Sequence, residues 1–215
     1  MMISPEGFYE LELKGKSVKE IRRVIRDLKR TIKENKDILE NSDVIPEKVM
    51  VHPGPSVMIS LSRDYLEIAI KALMENGEEY KPTKSELRDM EFNNNIEYID
   101  KISYTYGNFF FPETVSAELV DDKFVLNYRK HIRDEDRCIE EVYDSIDRTD
   151  FMEGLKKLHL GEWKKRYTSE IQYIDDMIDW TLEISYSNGL KNEVFKGDGH
   201  MEPYNFDELM ELFRL

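Results

Sequence analysis

The spacing of apolar residues changes once along the chain, and this change restricts the fold more than any other feature. Between Val18 and Leu39, apolar side chains recur at alternating steps of three and four, as on one face of a helix. From Tyr98 onward the period becomes two, which is typical of half-buried strands. The sequence therefore predicts an α+β protein in which helices precede an antiparallel sheet. We predict an N-terminal strand plus helical arm over 1–95 and a sheet with two covering helices over 96–215, as two domains or one continuous domain.

The first predicted helix carries an apolar seam with one polar position. The seam comprises Val18, Ile21, Ile25, Leu28, Ile32, Asn35 and Leu39. A polar residue such as Asn35 can fix the register of a seam within one chain or between two chains. The seam therefore has two interpretations, packing against another helix of the same chain and a homodimer through Val18–Leu39.

A strand before the seam and a helix after it complete the predicted arm. Alternating residues in FYELELK, 8–14, predict a half-buried strand. A proline-rich connector over 41–60 leads to a second helix, about Arg63–Asn76, packed antiparallel on the first as a helical hairpin. At 1.5 Å per residue the two helices are about 33 and 21 Å long, so part of the seam is predicted to extend beyond its partner.

The second half is predicted to form an antiparallel sheet from two ββα units. In the first unit a hairpin pairs 115–119 with 124–128 across a tight turn. A charged loop over 131–147 follows, and then a helix over 149–160. The second unit is predicted to repeat this order near the C-terminus, either as a true internal repeat or through chance similarity of two amphipathic helices.

The second hairpin spans 180–196 and turns at Asn188-Gly189. A two-residue turn would set Glu193 opposite Ile184. A three-residue turn with left-handed Gly189 would instead place Val194 on the apolar face, and we favour it because burial selects register. The final helix is predicted over 205–215, with Asn205 as its N-cap.

Several segments resemble a group of uncharacterised bacterial proteins. The segments are LHLGEWKKRY, WTLEISYSNGLK and PYNFDELMELF near the C-terminus, with MISPEGFYELELKGKS and YKPTKSEL in the first half. The likeness covers most of the chain, and departs from the group's pattern at DDMID before Trp180 and at GDGHME. The resemblance implies a shared fold. It implies no activity, because none is established for the group.

Charge is unevenly distributed along the chain. The net charge is −14, but Lys14 to Lys36 holds ten basic and three acidic residues, so that segment is +7 and the remainder is −21. Nucleic acid and anionic membranes repel such an acidic chain, so we expect neither as a direct partner.

The basic residues of this segment form a stripe beside the seam. We define the basic stripe as Arg22, Arg26, Lys29, Lys33 and Lys36. One interpretation is a binding surface for an acidic protein or for nucleic acid, of which we favour the protein. The other is a solvated helix face that offsets the acidic remainder of the chain.

Location is predicted from cysteine usage and hydropathy. Cys138 is the only cysteine, so an intrachain disulfide is excluded and a passive thiol is expected. The N-terminus lacks the pattern of a secretion signal, and no apolar run approaches the roughly 18 residues of a membrane span. We therefore expect a cytoplasmic protein.

Catalytic motifs are sparse. The glycine patterns of nucleotide sites and the strong zinc signatures are absent from the sequence, so we expect no cofactor. Asp198, His200 and Glu202 alternate in DGHME and could offer oxygen and imidazole ligands to a divalent cation. The same pattern is typical of a solvated turn before a helix, and Asp175, Asp176 and Asp179 have the same two interpretations.

These observations lead to three functional hypotheses. The first is a non-catalytic intracellular protein-interaction module acting through the basic stripe or the exposed seam. The second is an acidic inhibitor that mimics nucleic acid and blocks a DNA- or RNA-binding defence protein, of the anti-CRISPR or anti-restriction type. The third is a metal-dependent hydrolase that uses Asp198, His200 or nearby carboxylates.

Overall fold

A computed structural model describes residues 3–41, 53–107, 112–132, 137–168, 179–199 and 201–215. The chain divides into two compact units, Met1–Pro82 and Thr83–Leu215. The first unit is helical, and the second contains a seven-stranded, mostly antiparallel sheet. The protein is therefore α+β with an N-terminal helical hairpin, as predicted. Within the described ranges, no helix has both the length and the hydrophobicity needed to cross a bilayer.

The N-terminal segment is helical, so the predicted strand over 8–14 is wrong. Helix α1 (Pro5–Phe8) continues into a π-helical turn, Tyr9–Leu13. Ser4 caps α1 by accepting a hydrogen bond from the Gly7 amide at 3.1 Å. Proline is favoured in the first turn of a helix, where its missing N–H has no intrahelical acceptor. Local capping therefore starts a helix where alternation predicts a strand.

Burial in this segment follows a helical spacing. Phe8 and Leu13, five residues apart, are both buried, and the Phe8 ring stacks on Tyr65 with centroids 4.2 Å apart. Leu11, which strict alternation places on the inner face, is 66% exposed. The segment thus packs as one side of a helical turn.

Helices α2 (Val18–Asn41) and α3 (Pro55–Glu75) form the hairpin of the first unit. They have 24 and 21 residues, and α3 begins eight residues before the predicted start at Arg63. Pro55 occupies the first turn of α3, where proline is tolerated, although the sequence pattern places it in a connector. The predicted difference in helix length is therefore largely absent, and with it the predicted overhang of the seam.

The second unit begins with helix α4 (Lys84–Asn95), which Thr83 and Glu86 open with a capping box. The sheet follows, with strand order β4-β3-β2-β1-β6-β7-β5. Its strands are β1 (Ile99–Gly107), β2 (Glu113–Val120), β3 (Lys123–Ile132), β4 (Arg137–Asp147), β5 (Arg166–Tyr167), β6 (Asp179–Tyr186) and β7 (Glu193–Asp198). Among the described strand pairs, β5–β7 alone is parallel.

The predicted β2–β3 hairpin is confirmed, but the segment after it is not a loop. Leu119 pairs with Phe124 and Val115 with Tyr128, as the pattern predicts. Much of the predicted loop over 131–147 is the long strand β4. β4 lies at the sheet edge, where exposed charged side chains are tolerated and protect the strand from aggregation. The first unit of the predicted repeat therefore has four strands rather than two.

The register of the β6–β7 hairpin differs from the favoured prediction. Ile184 pairs with Glu193, and Leu182 pairs with Phe195. Phe195 is 1% exposed, so it takes the inner position that the prediction assigns to Val194. Gly189 is left-handed, as predicted, with φ +79°. The register follows the larger side chain, Phe195.

Two helices cover the apolar face of the sheet, α5 (Arg148–Leu158) and α6 (Phe206–Leu212). The Phe151 ring of α5 stacks on Phe124 of β3 with centroids 4.2 Å apart. Leu209 of α6 and Trp180 of β6 belong to the same buried cluster. The core lies between these helices and one face of the sheet, as the alternation of apolar residues predicts.

Asn205 occupies the N-cap position of α6, as predicted, but its side chain has a different role. Its side chain makes no capping hydrogen bond and is instead buried. Its Oδ1 accepts a hydrogen bond from Trp163 Nε1 at 3.0 Å, and its Nδ2 donates to the Leu158 carbonyl at 2.9 Å. Two buried groups on one neighbouring segment therefore hold the side chain away from the helix start.

Candidate functional site

The basic stripe lies beside the apolar seam, because each stripe residue directly follows a seam residue on α2. Ile21 and Ile25 of the seam are buried in a cluster with Ala69 and Leu73 of α3. The stripe positions are spaced by three or four residues and share one helix face. Seam and stripe are thus on separate faces of the same helix.

Some stripe residues have partners within the first unit. Arg22 forms an ion pair with Glu78 of the segment after α3. Lys33 Nζ lies 3.9 Å from Asp37, and its side chain is 80% exposed. Lys29 Nζ lies 4.8 Å from the centroid of the Tyr80 ring. Exposed pairs of this kind are weak, about 0–1 kcal/mol each, so they can be exchanged for a partner.

Asn35 is bonded within its own helix. Its Nδ2 donates to the Thr31 carbonyl at 2.8 Å. The first half of the seam is occupied by α3, while Leu39 at its far end is 36% exposed. A homodimer through Val18–Leu39 stays a prediction.

The predicted metal ligands near the C-terminus are divided between described and undescribed residues. Asp198 lies opposite Asp179 in the β6–β7 pairing, and its Oδ1 is 3.5 Å from Arg166. Glu202 is half-buried after β7. The remaining candidates, His200, Asp175 and Asp176, lie outside the described residues. The metal-dependent hydrolase therefore stays a prediction.

A cluster that the sequence analysis missed joins α4 to the segment after α5. We call it the Asp89 cluster, and it comprises Asp89, His159 and Glu162. One ligand atom from each residue lies within 4.8 Å of the others. His159 Nδ1 is 2.7 Å from Asp89 Oδ2, so with the carboxylate ionised the imidazole N–H is the donor.

Two backbone features bring the cluster together. His159 ends α5 in the left-handed conformation, with φ +50° and ψ +47°, which is uncommon outside glycine and asparagine. Gly161 then lies directly on α4, where a Cβ would be 2.4 Å from the Asp89 Cα and 2.6 Å from the Arg88 carbonyl oxygen. Only glycine permits this approach, so the turn places His159 and Glu162 over Asp89.

Asp89 is a buried carboxylate with one oxygen left over. The residue is 7% exposed, and its Oδ2 accepts from His159 and from Asn93 Nδ2 at 3.3 Å. Its Oδ1 is buried without a hydrogen-bond partner among the described residues, as is Asn93 Oδ1. Buried acceptors are nearly always satisfied in native proteins, so this excess distinguishes the cluster from an ordinary ion pair.

The sequence contains only a partial signal for this cluster. Asp89 and His159 are 70 residues apart, and no spacing rule links them. Gly161-Glu162-Trp163 carries the family resemblance, but its role as a contact with α4 depends on the tertiary fold. The left-handed His159 has no signature in a single sequence.

A second polar cluster lies at the end of strands β1, β2 and β3. Glu113 Oε2 accepts from Tyr106 at 2.7 Å and from Tyr128 at 2.6 Å, and Lys130 Nζ lies 2.6 Å from Oε1. Burial raises the pKa of Glu113, but the hydrogen bonds from Lys130, Tyr128 and Tyr106 outweigh it and hold the pKa at about 2. Burial and the same carboxylate raise the pKa of Tyr106. Both Glu113 oxygens have partners, so we assign this cluster a structural role.

Comparisons with protein-family models, with curated proteins and with solved structures find no match to this chain. The resemblance to uncharacterised bacterial proteins stays a prediction.

Proposed function

We propose that this protein is a non-catalytic interaction module that binds an acidic protein segment through the basic stripe of α2. The supporting observation is the arrangement of α2, whose apolar seam packs on α3 while the cations line a separate face. A helix face of this kind can offer several charges to a partner without disturbing the core beneath it. We place the module in the cytoplasm because its single cysteine is typical of a reducing compartment.

Charge distribution supports an acidic protein as the partner class. Residues 1–82 contain 14 basic and 15 acidic side chains, a net charge of −1, so the remaining chain carries −13 of the total −14. A protein segment with a few carboxylates can approach α2 with modest repulsion from the rest of the chain. A nucleic-acid duplex carries far more charge and would be repelled more strongly.

Arg26 and Lys33 are suited to test this surface. Arg26 is exposed and forms no ion pair within the described residues, and Lys33 is 80% exposed. We expect the double variant R26E/K33E to fold normally and to lose proteins that co-purify with the wild type after cross-linking. The matched control is K71E/K81E, which makes the same charge change at two exposed lysines of the same unit.

Quantitative mass spectrometry of the recovered proteins distinguishes the outcomes. Partners lost with R26E/K33E, retained with K71E/K81E and rich in acidic segments support the proposal. Binding should also weaken as salt rises, because screening shortens the range of surface charges. Equal recovery of the same partners with all three proteins would contradict it.

We also propose, as the alternative, an inhibitor that mimics nucleic acid through the second unit. The charge of −13 supports it, and edge strand β4 adds exposed Glu140 and Glu141. Displacement of a labelled DNA or RNA from a host or phage-defence nuclease tests this alternative. Loss of displacement with E140K/E141K, but not with R26E/K33E, would favour it over the first proposal.

A further inference from the structure

We propose that Asp89, His159 and Glu162 form a binding site for one divalent transition-metal ion of the zinc or manganese class. This site is separate from the predicted ligands around Asp198, and it does not depend on the interaction surface of α2. Three features support it. The donor atoms converge, a buried acceptor has no partner among the described residues, and the backbone holds the donors in place.

The donor set has the right chemistry for such an ion. One imidazole nitrogen and two carboxylate groups converge, with one ligand atom from each within 4.8 Å of the others. Mixed nitrogen and oxygen ligands suit zinc, manganese and iron, whereas magnesium prefers oxygen ligands and retained water. Three protein ligands would leave further coordination positions for water or another small ligand.

The unsatisfied acceptor supports a cation over a purely structural ion pair. Asp89 is 93% buried, and neither its Oδ1 nor the nearby Asn93 Oδ1 has a hydrogen-bond partner in the described part of the chain. Both atoms are acceptors, so neither can satisfy the other. The His159 N–H reaches only Oδ2. A metal ion can accept electron pairs from several oxygens at once, so a bound ion would satisfy these unpartnered acceptors.

The backbone holds the donors close together before any ligand binds. Gly161 packs on the Asp89 backbone, and left-handed His159 starts the turn that carries Glu162. Asp89 itself lies on regular helix α4. Donors on such fixed elements lose little conformational entropy on binding, which favours affinity.

The experiment uses the full chain, purified without a histidine tag and treated with a chelator. Zn²⁺ and Mn²⁺ are titrated by calorimetry, and Co²⁺ serves as a spectroscopic probe of nitrogen and oxygen ligation. We expect a stoichiometry of one, and a melting temperature that rises with metal concentration as for any ligand specific to the native state.

Conservative variants separate this site from others. Glu162→Gln and His159→Asn should each weaken binding by about tenfold or more, as loss of one metal ligand or its orientation commonly does. Asparagine is chosen because it tolerates the left-handed conformation of His159. Glu153→Gln, on the exposed face of α5, is the matched control and should bind as the wild type does. Asp198→Asn should also retain binding.

Each outcome decides the proposal. Loss with E162Q and H159N, with retention in E153Q and D198N, supports it, provided that circular dichroism shows the metal-free variants folded. Absence of binding to the wild type at millimolar metal overturns it and leaves Asp89–His159 as a structural ion pair. Loss only with D198N also overturns it and assigns the ion to the C-terminal end of β7.

Discussion

Asn205 and Asp89 contact the same short segment, Leu158–Trp163, and they differ in how completely they are satisfied. Asn205 uses both ends of its amide, accepting from Trp163 and donating to the Leu158 carbonyl. Within the described ranges, Asp89 accepts hydrogen bonds through Oδ2, and its Oδ1 has no partner. Both residues are more than nine-tenths buried, so burial alone does not explain the difference.

The comparison separates a closed polar contact from an open one. A buried amide with both groups paired stabilises one packing arrangement and leaves no capacity for a ligand. A buried carboxylate with one free oxygen retains a destabilising excess that a bound cation can relieve. Leu158–Trp163 is therefore held structurally by Asn205, whereas the contact with Asp89 is suited to binding.

The largest expected effect comes from Gly161→Ala, which breaks the Asp89 contact at its backbone. The new Cβ would meet the Asp89 Cα at 2.4 Å and the backbone of Arg88, neither of which can move without shifting α4. We expect a loss of about 3–5 kcal/mol in the free energy of unfolding, measured by chemical denaturation.

Gly154→Ala is the matched control for this change. The three heavy atoms nearest to its Cβ would all belong to the Leu212 side chain, with Cδ1 at 2.6 Å, and that side chain can change rotamer. Alanine also favours the helix of α5. A loss as large as that of Gly161→Ala would show that the approach to α4 is not special.

The fold class could be predicted from the spacing of apolar residues, because the buried face of a helix or strand repeats at a fixed interval along the sequence. The β2–β3 register and the inner face of β6 follow from alternation, and both are observed. The N-terminal helical turn and β4 were missed for two physical reasons. Capping by Ser4 outweighs alternation, and an edge strand carries the charges of a loop.

The candidate site could not be predicted to the same extent. The stripe on α2 is visible in the sequence because helix faces repeat at fixed steps. The Asp89 cluster instead depends on a left-handed residue and on a glycine in contact with another helix. Both are tertiary features, and a single sequence without periodic signals for them does not reveal which residues meet.

Asn205→Ala tests the closed side of the comparison. It leaves Trp163 Nε1 and the Leu158 carbonyl buried without their partner, at an expected loss of about 2–3 kcal/mol in the free energy of unfolding. Asn192→Ala is the control, because the one described hydrogen bond of that exposed amide goes to Glu183, and water can replace it. Equal losses in both variants would contradict a structural role for Asn205.

Glu113 contrasts with Asp89, because both of its carboxylate oxygens have partners. Its pKa is lowered from 4.5 to about 2, so it stabilises the native state above pH 4.5 and loses this effect as the pH falls toward 2. The contribution near neutral pH is about 2 kcal/mol, allowing for the 22% of the side chain that is exposed.

Denaturation of wild type and Glu113→Gln across this pH range measures the effect. We expect the stability difference between them to shrink between pH 4.5 and pH 2. Glu118→Gln lies on the same strand and removes a half-exposed pair with Lys101, so it serves as the control. A difference that stays constant over that range would show that Glu113 does not titrate as a partnered carboxylate.

The smallest effect on the free energy of unfolding is expected at an exposed ion pair, Arg22–Glu78. Both side chains are substantially exposed, at 54% and 41%, so water satisfies either group once the other is removed. Arg22→Ala should therefore change the free energy of unfolding by less than about 1 kcal/mol, with a similar change for Glu78→Ala. Because the stripe is proposed to bind a partner, Arg22→Ala should weaken partner recovery while Glu78→Ala, which releases the arginine, should preserve or increase it. Opposite effects on binding with equal effects on stability would show that Arg22 can leave Glu78 and bind a carboxylate of the partner. Equal loss of binding in both variants would contradict that exchange.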